Sequence, residues 1–201
     1  MQLKANNIGF FYDRSRWIFR NFNYTIDAGE IVGLSGKSGC GKTTFARVLS
    51  GYEQQKEGTV TLNNSPLPKR GYQPVQLVFQ HPEKGVNPKW RMEKVLHEGG
   101  KIDGQLLDLL GIKQEWLTRW PNELSGGELQ RFCVARALGT GTRFLIADEM
   151  TTMLDAITQA QIWHAVLEIA RQRKIGVLVI SHEEALIRRL CTRMVTFSER
   201  I

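Results

Sequence analysis

The stretch Gly36-Lys37-Ser38-Gly39-Cys40-Gly41-Lys42-Thr43 carries the strongest structural signal in this sequence. It matches the pattern GxxxxGK[ST] and lies between an apolar run, Ile31–Ser35, and a helical pattern over 42–50 that Gly51 closes. A glycine-rich loop between a strand and a helix can wrap its backbone N–H groups around a phosphate, and the helix N-terminus adds partial positive charge. The pattern therefore predicts a P-loop.

Two side chains of this loop have specific chemistry in P-loops. Lys42 is predicted to reach the β and γ phosphates of a nucleotide, and the Thr43 hydroxyl to coordinate Mg²⁺. A glycine-rich turn with a chance lysine is the alternative. The predicted ATP-binding set is Gly36, Lys37, Ser38, Gly39, Cys40, Gly41, Lys42, Thr43 and Thr44.

A second strand candidate, residues 143–149, reads Arg-Phe-Leu-Ile-Ala-Asp-Glu and ends in two carboxylates. This is a Walker B pattern, in which Asp148 is predicted to hold Mg²⁺ directly or through water. Glu149 is predicted to polarise the attacking water as a general base. A buried strand that ends in an acidic turn is the alternative.

The spacing of apolar residues predicts an α/β fold. The runs Ile31–Ser35, 144–148 and 177–181 suit parallel strands covered on both faces, and the pattern over 155–171 suits a helix. Alternating residues over 3–12 and 21–26, and over 59–62 before Asn63-Asn64, predict an N-terminal antiparallel part. Further strands are predicted at 75–79 and 194–198.

The length of the chain and the positions of its prolines predict one domain with a small insertion. The 201 residues suit a single compact unit, and Pro82, Pro88 and Pro121 break residues 80–122 into short helical patterns such as 103–110, which Gly111 caps. We predict an α/β core over 1–79 and 123–201, with a small helical insertion at 80–122.

Charge and cysteine content restrict the partners. Subtracting 20 acidic from 27 basic side chains gives +7, which favours nucleic acid, an anionic membrane surface or phosphorylated ligands. Three well-separated cysteines indicate neither a disulfide framework nor a zinc site, and a reducing cytosol is the simplest location. No apolar run approaches the roughly 18 residues of a membrane span, so a role at a membrane would be peripheral.

Residues 124–131, Leu-Ser-Gly-Gly-Glu-Leu-Gln-Arg, decide the family. Here the chain resembles the ATP-binding subunits of ABC transporters, whose signature motif LSGGQ is matched except for Glu128. The Ser125 hydroxyl and the N–H groups of Gly126 and Gly127, at the start of a helix, form a second anion cradle.

The resemblance implies roles for four further residues. Gln80 matches the Q-loop, which senses Mg²⁺ and water and couples to the membrane subunit, so Gln80 is expected in the catalytic site as a third Mg²⁺ ligand. Asp155 matches the D-loop, and His182 the switch histidine that contacts the γ-phosphate. Tyr12 looks like the aromatic that stacks on adenine. A surface or capping histidine is the alternative for His182, and a core aromatic is the alternative for Tyr12.

The loop after Glu149 departs from the family. Met150 and Met153 stand where the family has proline and alanine, and larger flexible side chains can alter packing across a dimer interface.

The resemblance also implies partners. ABC ATPases form a head-to-tail dimer, with a copy or a paralogue, that holds two ATP molecules with Mg²⁺ between the P-loop and the signature of opposite chains. The dimer drives separate permease subunits through the helical insertion, so the expected location is the cytoplasmic face of the membrane, and no direct nucleic acid contact is expected.

The cargo is weakly encoded. Residues 78–82 (VFQHP), 87–89 (NPK) and 154–162 are similar to the dipeptide, oligopeptide and nickel import subfamily, which also uses an extracytoplasmic binding protein. Its members commonly carry a C-terminal extension, whereas this sequence stops soon after the last predicted strand. Import of peptides, nickel or a metal chelate is the expectation.

Other function classes fit less well. A soluble ABC-type ATPase acting on nucleic acid or ribosomes would fit the charge, but such proteins typically have a second ATPase cassette, a long coiled coil or a zinc insertion. A small-molecule kinase has no use for the LSGGE segment, and a regulator without hydrolysis has no use for Glu149.

Overall fold

The computed structural model describes residues 1–14, 16–100 and 102–197 of the chain. Among these residues the 3-10 helices are Pro82–Lys84, Gln114–Trp116 and Pro121–Glu123. In chain order the strands and α-helices are β1 (Gln2–Phe10), β2 (Phe19–Asp27), β3 (Ile31–Ser35), α1 (Lys42–Leu49), β4 (Glu57–Leu62), β5 (Ser65–Pro66), β6 (Val75–Val78), α2 (Met92–Glu98), α3 (Gly104–Leu109), α4 (Gly126–Ala137), β7 (Phe144–Asp148), α5 (Ala156–Arg173), β8 (Gly176–Ile180), α6 (Glu184–Leu190) and β9 (Arg193–Thr196).

A parallel sheet brings the segments that carry the motifs to one edge. Within the described residues its strand order is β6-β7-β8-β3-β9, and each neighbouring pair is parallel. Because the carboxyl ends of parallel strands meet at the same edge, the segments that follow β3, β6, β7 and β8 converge there. These segments are the P-loop and the turns that begin at Phe79, Glu149 and Ser181.

The N-terminal strands form a separate antiparallel sheet in the order β2-β1-β4-β5. Asn63 and Asn64 connect β4 to β5 with φ of 50° and 63°, the left-handed conformation that two-residue hairpin turns require and that asparagine tolerates. The predicted α/β fold with an antiparallel part is confirmed.

The core lies on both faces of the parallel sheet. Leu145 and Val177 face the cluster formed with α4 and α5, whereas Ile146 and Leu178 face the cluster formed with α1 and the antiparallel sheet. Successive side chains of a strand point to opposite faces, so a strand covered on both sides must be apolar throughout. This is why residues 144–147 of β7 and the whole of β8 form continuous apolar runs.

Several predicted boundaries were one or two residues wrong. β1 ends at Phe10 rather than at residue 12, because the last bond of the ladder pairs the Phe10 carbonyl with the Ile18 N–H before the chain turns away. Helix α1 ends at Leu49, and the Ser50 hydroxyl donates back to the Ala46 carbonyl. β6 ends at Val78, β8 covers Gly176–Ile180, and β9 covers Arg193–Thr196; the predicted end of that last strand, Ser198, lies outside the described residues.

The segment between β6 and α4 packs its short helices on α4. Buried side chains of α2 and α3, such as Met92, Val95 and Leu106, share one core cluster with Phe132 of α4. The division of the chain at 80 and 122 stays a prediction. In the part of the chain that the structure describes, none of the helices has the length and apolar character needed to cross a membrane.

Phe45 of α1 is expected to contribute strongly to stability. Its fully buried ring meets four aromatic rings at centroid distances of 5.1–6.2 Å, those of Phe22, Tyr24, Phe197 and Phe19. Phe45→Ala should lower the free energy of unfolding by about 3–5 kcal/mol, because it leaves a cavity in a packed cluster. Chemical denaturation measures this, with the exposed Ile157→Ala as control at about 0.5 kcal/mol or less. Equal losses in the two variants would contradict the expectation.

Candidate active site

The P-loop is shaped to receive phosphate groups. Gly39 and Gly41 have φ of 76° and 105°, values that favour glycine, and a Cβ on Gly41 would lie 2.6 Å from Ile18 Cγ2. The loop runs directly into α1, so N–H groups at the helix start face the same space. Lys42 is buried, and its ammonium donates to the carbonyl oxygens of Gly36 and Lys37 at 2.8 and 2.9 Å. The loop therefore holds its own lysine in place.

The Thr43 hydroxyl donates to Asp148 Oδ1 at 3.3 Å, which joins the P-loop to the end of β7. Asp148 is buried, and this desolvation raises the pKa of its carboxyl, while the hydrogen bond from Thr43 opposes the shift. A bound cation would stabilise the ionised carboxylate. Hydroxyl and carboxylate oxygens are ligands that Mg²⁺ accepts, so this pair fits the predicted metal.

Glu149 is held in an unusual backbone conformation. Its φ is 51°, and its N–H donates to the Ile180 carbonyl of β8 at 2.9 Å. A left-handed conformation costs a residue with a Cβ about 1–2 kcal/mol, and such residues cluster at functional sites. Glu149 Oε1 lies 2.7 Å from His182 Nε2. The strained turn thus brings the two residues, from the ends of adjacent strands, into contact.

One open cavity of about 220 Å³ collects most of the predicted nucleotide residues. Gly36, Lys37 and Cys40 line a second cavity of about 540 Å³ that His182 also borders. The residues lining the first are Ser38, Gly39, Gly41, Lys42, Thr43, Thr44, Glu149 and His182. The tertiary structure therefore brings the P-loop together with the predicted base and with the histidine predicted to be the switch residue.

Gln80 reaches Glu149 through a threonine. Its side-chain nitrogen donates to Thr152 Oγ1 at 3.2 Å, and this hydroxyl donates to the Glu149 carbonyl at 2.9 Å. Neither Thr43 nor Asp148 is its hydrogen-bond partner here. Gln80 is thus placed beside the loop of the predicted base, and its role as a metal ligand stays a prediction.

The signature residues line another cavity, of about 580 Å³, together with Gln80 and Asp155. Ser125 is the N-cap of α4: its hydroxyl accepts from the Glu128 N–H at 3.3 Å, and the Glu128 carboxylate accepts from the Ser125 N–H at 2.8 Å. This reciprocal capping box satisfies two of the free donors at the helix start. The glutamate that differs from LSGGQ therefore has a structural role.

The D-loop residue Asp155 caps α5. Its carboxylate accepts from the N–H groups of Thr158 and Ile157 at 2.9 and 3.0 Å, bonds that lower the pKa of the exposed carboxyl. The two departing methionines behave differently: Met150 is buried, and Met153 is 61% exposed. Met153 is the one available to a partner surface.

Tyr12 stands just beyond β1. Its ring is 58% exposed and packs edge-to-face on Phe10 at a centroid distance of 4.9 Å. Phe10 is the core aromatic of the Phe10-Phe11-Tyr12 run, so the core alternative holds for Phe10 and not for Tyr12. Stacking of Tyr12 on adenine stays a prediction.

Two residues of the site were not predicted from the sequence. Thr152, the link between Gln80 and Glu149, has no sequence signal because its importance arises from a tertiary contact. Gln130 of α4 is 1% exposed and donates to two loop carbonyls. Gln130 lies four residues before Val134 and seven before Ala137, the spacing of one helix face. This spacing is a signal that could have predicted its burial.

Several known proteins are similar to this chain in sequence. Residues 19–152, more than half of the chain, match the family described as ABC transporter. The chain is 34% identical over 194 residues to the nickel import ATP-binding protein NikE of Rhodospirillum rubrum, with 87% of this chain and 70% of that protein covered. It is 33% identical over 211 residues to the nickel import system ATP-binding protein NikE of Staphylococcus aureus, strain bovine RF122, with 98% and 87% covered.

A solved structure confirms the fold. A dimeric ATP-binding cassette in a post-hydrolysis state, bound to ADP and phosphate, superposes with a TM-score of 0.83 at 24% identity and covers 98% of this chain and 94% of its own. The P-loop, the signature and the Walker B carboxylates follow one another in this order along the chain. The chain thus belongs to the ABC transporter family, as one of its ATP-binding, ATP-hydrolysing subunits.

Proposed function

We propose that this chain is the ATPase subunit of a nickel or metal-chelate importer, and that it works as a head-to-tail dimer beneath a membrane permease. The observation that carries the ATPase part is the common cavity of Lys42, Thr43, Glu149 and His182. The names of the similar nickel import proteins support the cargo class. The transport assay described below distinguishes nickel import from peptide import.

The residues of the cavity suit the binding of a nucleoside triphosphate. The N–H groups of the P-loop and the Lys42 ammonium would neutralise the β and γ phosphates, and Tyr12 would contact the adenine. Thr43 and Asp148 would hold Mg²⁺, with Gln80 nearby, and the bound ion supplies charge neutralisation on the phosphates. The P-loop, Lys42 and Tyr12 would thus orient the ATP molecule.

Hydrolysis needs a base and a group that responds to the terminal phosphate. Glu149 would accept a proton from the water that attacks the γ-phosphorus, as the bond to the ADP oxygen breaks. His182, 2.7 Å from the Glu149 carboxylate, would orient that carboxylate and contact the γ-phosphate. The left-handed turn at Glu149 keeps the carboxylate beside the P-loop cavity.

A second subunit would complete each site. Ser125, Gly126 and Gly127 border the 580 Å³ cavity and not the 220 Å³ cavity of the same chain, so their anion cradle is free for the nucleotide of a partner. The partner is a copy of this chain or a paralogue. A permease and an extracytoplasmic binding protein would provide the path and the cargo selection, and the chain would sit peripherally on the cytoplasmic face.

A transport assay tests the cargo. In cells whose own copy is replaced by Glu149→Gln, uptake of radioactive nickel should fall about tenfold or more, because a missing general base stalls the pump. Uptake of a labelled dipeptide should be unchanged. The control is Glu168→Gln, which removes a charge from the remote surface of α5. Loss of dipeptide uptake with normal nickel uptake would make this a peptide importer.

A further inference from the structure

Gln130 is a buried side chain with no role in the mechanism above. It lies two residues after Glu128, inside the first half of α4, and is 1% exposed. Its side-chain nitrogen donates to the carbonyl oxygen of Phe79 at 3.1 Å and to that of Met150 at 2.7 Å. Phe79 immediately precedes Gln80, and Met150 immediately follows Glu149. One amide therefore fastens the signature helix to both of these loops.

The hydrogen bonds form a closed circuit. One bond runs from Gln130 to the Phe79 carbonyl, next to Gln80. The Gln80 side chain donates to the Thr152 hydroxyl, which donates in turn to the Glu149 carbonyl. The chain then passes to Met150, whose carbonyl returns to Gln130. Because Gln130 bonds to both loops, a shift of α4 would act on both of them.

The amide oxygen of Gln130 indicates which part of the side chain makes a favourable contribution. Gln130 Oε1 is one of the buried side-chain atoms in the described residues that has no hydrogen-bond partner. An unpaired buried acceptor costs about 1–3 kcal/mol, so an apolar side chain of the same shape would avoid a penalty that the amide incurs. What the amide alone supplies is its pair of N–H donors to the two loops.

The neighbouring residue fastens the same helix to the rest of the fold. Arg131 donates to the Leu110 carbonyl at the end of α3, at 2.5 Å, and to Gln161 Oε1 of α5, at 2.6 Å. Helix α4 is therefore tied both to α5 and to the end of α3, and α3 lies within the segment that the proposed permease would contact. Gln130 is the point where such a movement reaches the loops of the hydrolytic site.

We propose that Gln130 is a positioning residue of the ATPase, which sets the distance of the Gln80 loop and the Glu149 loop from the signature helix. The proposal rests on the proposed ATPase function. It involves no contact of Gln130 with ATP, so it concerns the rate of hydrolysis rather than nucleotide affinity. A displaced base slows the chemistry because near-attack geometry is lost.

The test separates kcat from KM. Gln130→Met keeps the length of the side chain and removes both donors, and Gln130→Asn keeps the amide and shortens its reach. In each variant kcat for ATP should fall about tenfold, with KM changed by about twofold or less. The control is Thr142→Val, which removes the buried bond from Thr142 Oγ1 to the Ala137 carbonyl at the other end of α4. It should lower Tm and leave kcat unchanged.

A double-mutant cycle tests the circuit itself. If Gln130 and Thr152 belong to one circuit, the kcat loss of Gln130→Met combined with Thr152→Val should be clearly smaller than the product of the two single losses. Normal kcat in both Gln130 variants, or losses that simply multiply, would overturn the proposal. Failure of the proposed ATPase function is distinct, since the unmodified protein would then show no hydrolysis that depends on Glu149.

Discussion

Glu149→Gln is expected to slow ATP hydrolysis by about 10²- to 10⁴-fold, the contribution that a general base makes. The substitution replaces an oxygen that can accept a proton by an amide of the same shape, so the contact with His182 and the left-handed turn can persist. ATP binding should be retained, and the closed dimer should accumulate because its nucleotide is no longer hydrolysed. Single-turnover phosphate release and size-exclusion chromatography with ATP measure the two effects.

A matched control separates the loss of the general base from the loss of one negative charge. Glu168→Gln makes the same chemical change on α5, away from the cavity, and should leave turnover unchanged. Unchanged turnover in Glu149→Gln would remove Glu149 as the base. Loss of ATP binding together with turnover would indicate instead that Glu149 holds the P-loop in shape.

Lys42→Ala is expected to weaken ATP binding roughly 10- to 100-fold, because each charge-assisted hydrogen bond to a phosphate contributes about 1.5–3 kcal/mol. The ammonium is buried and already held by the Gly36 and Lys37 carbonyls, so it is placed for phosphate at little entropic cost. Isothermal titration with ATP under non-hydrolysing conditions, in the Glu149→Gln background, measures the affinity.

The lysine experiment also has a charge-matched control. Lys69→Ala removes one positive charge from an exposed loop and should bind ATP like the unmodified protein. If Lys42→Ala and Lys69→Ala bind ATP equally well, the P-loop lysine is not a phosphate ligand. Comparison of Lys42→Ala with Lys42→Arg shows how far a charge of different shape can substitute.

Local patterns were enough to predict the fold class and the P-loop. Residues 144–147 of β7 are apolar because both faces of the strand are covered, and such a run followed by two carboxylates is recognisable without coordinates. The spacing of the P-loop glycines is a local signal too, and Gly39 and Gly41 both have the positive φ that favours glycine. Boundaries such as the end of β1 were less certain, because the last ladder bond depends on where the opposite strand turns.

The relations between motifs were decided only by the tertiary structure. The contact of Glu149 with His182 requires the turn after β7 to adopt a positive φ at a glutamate, which no propensity predicts. The Gln80–Thr152 bond and the two bonds from Gln130 join residues 20 to 72 positions apart in the chain. The sequence by itself determined which residues carry charge and which backbone can wrap a phosphate, because those are properties of single residues and short segments. The tertiary structure decided which of them meet, because a hydrogen bond at 3 Å depends on the packing of every strand and helix between its partners.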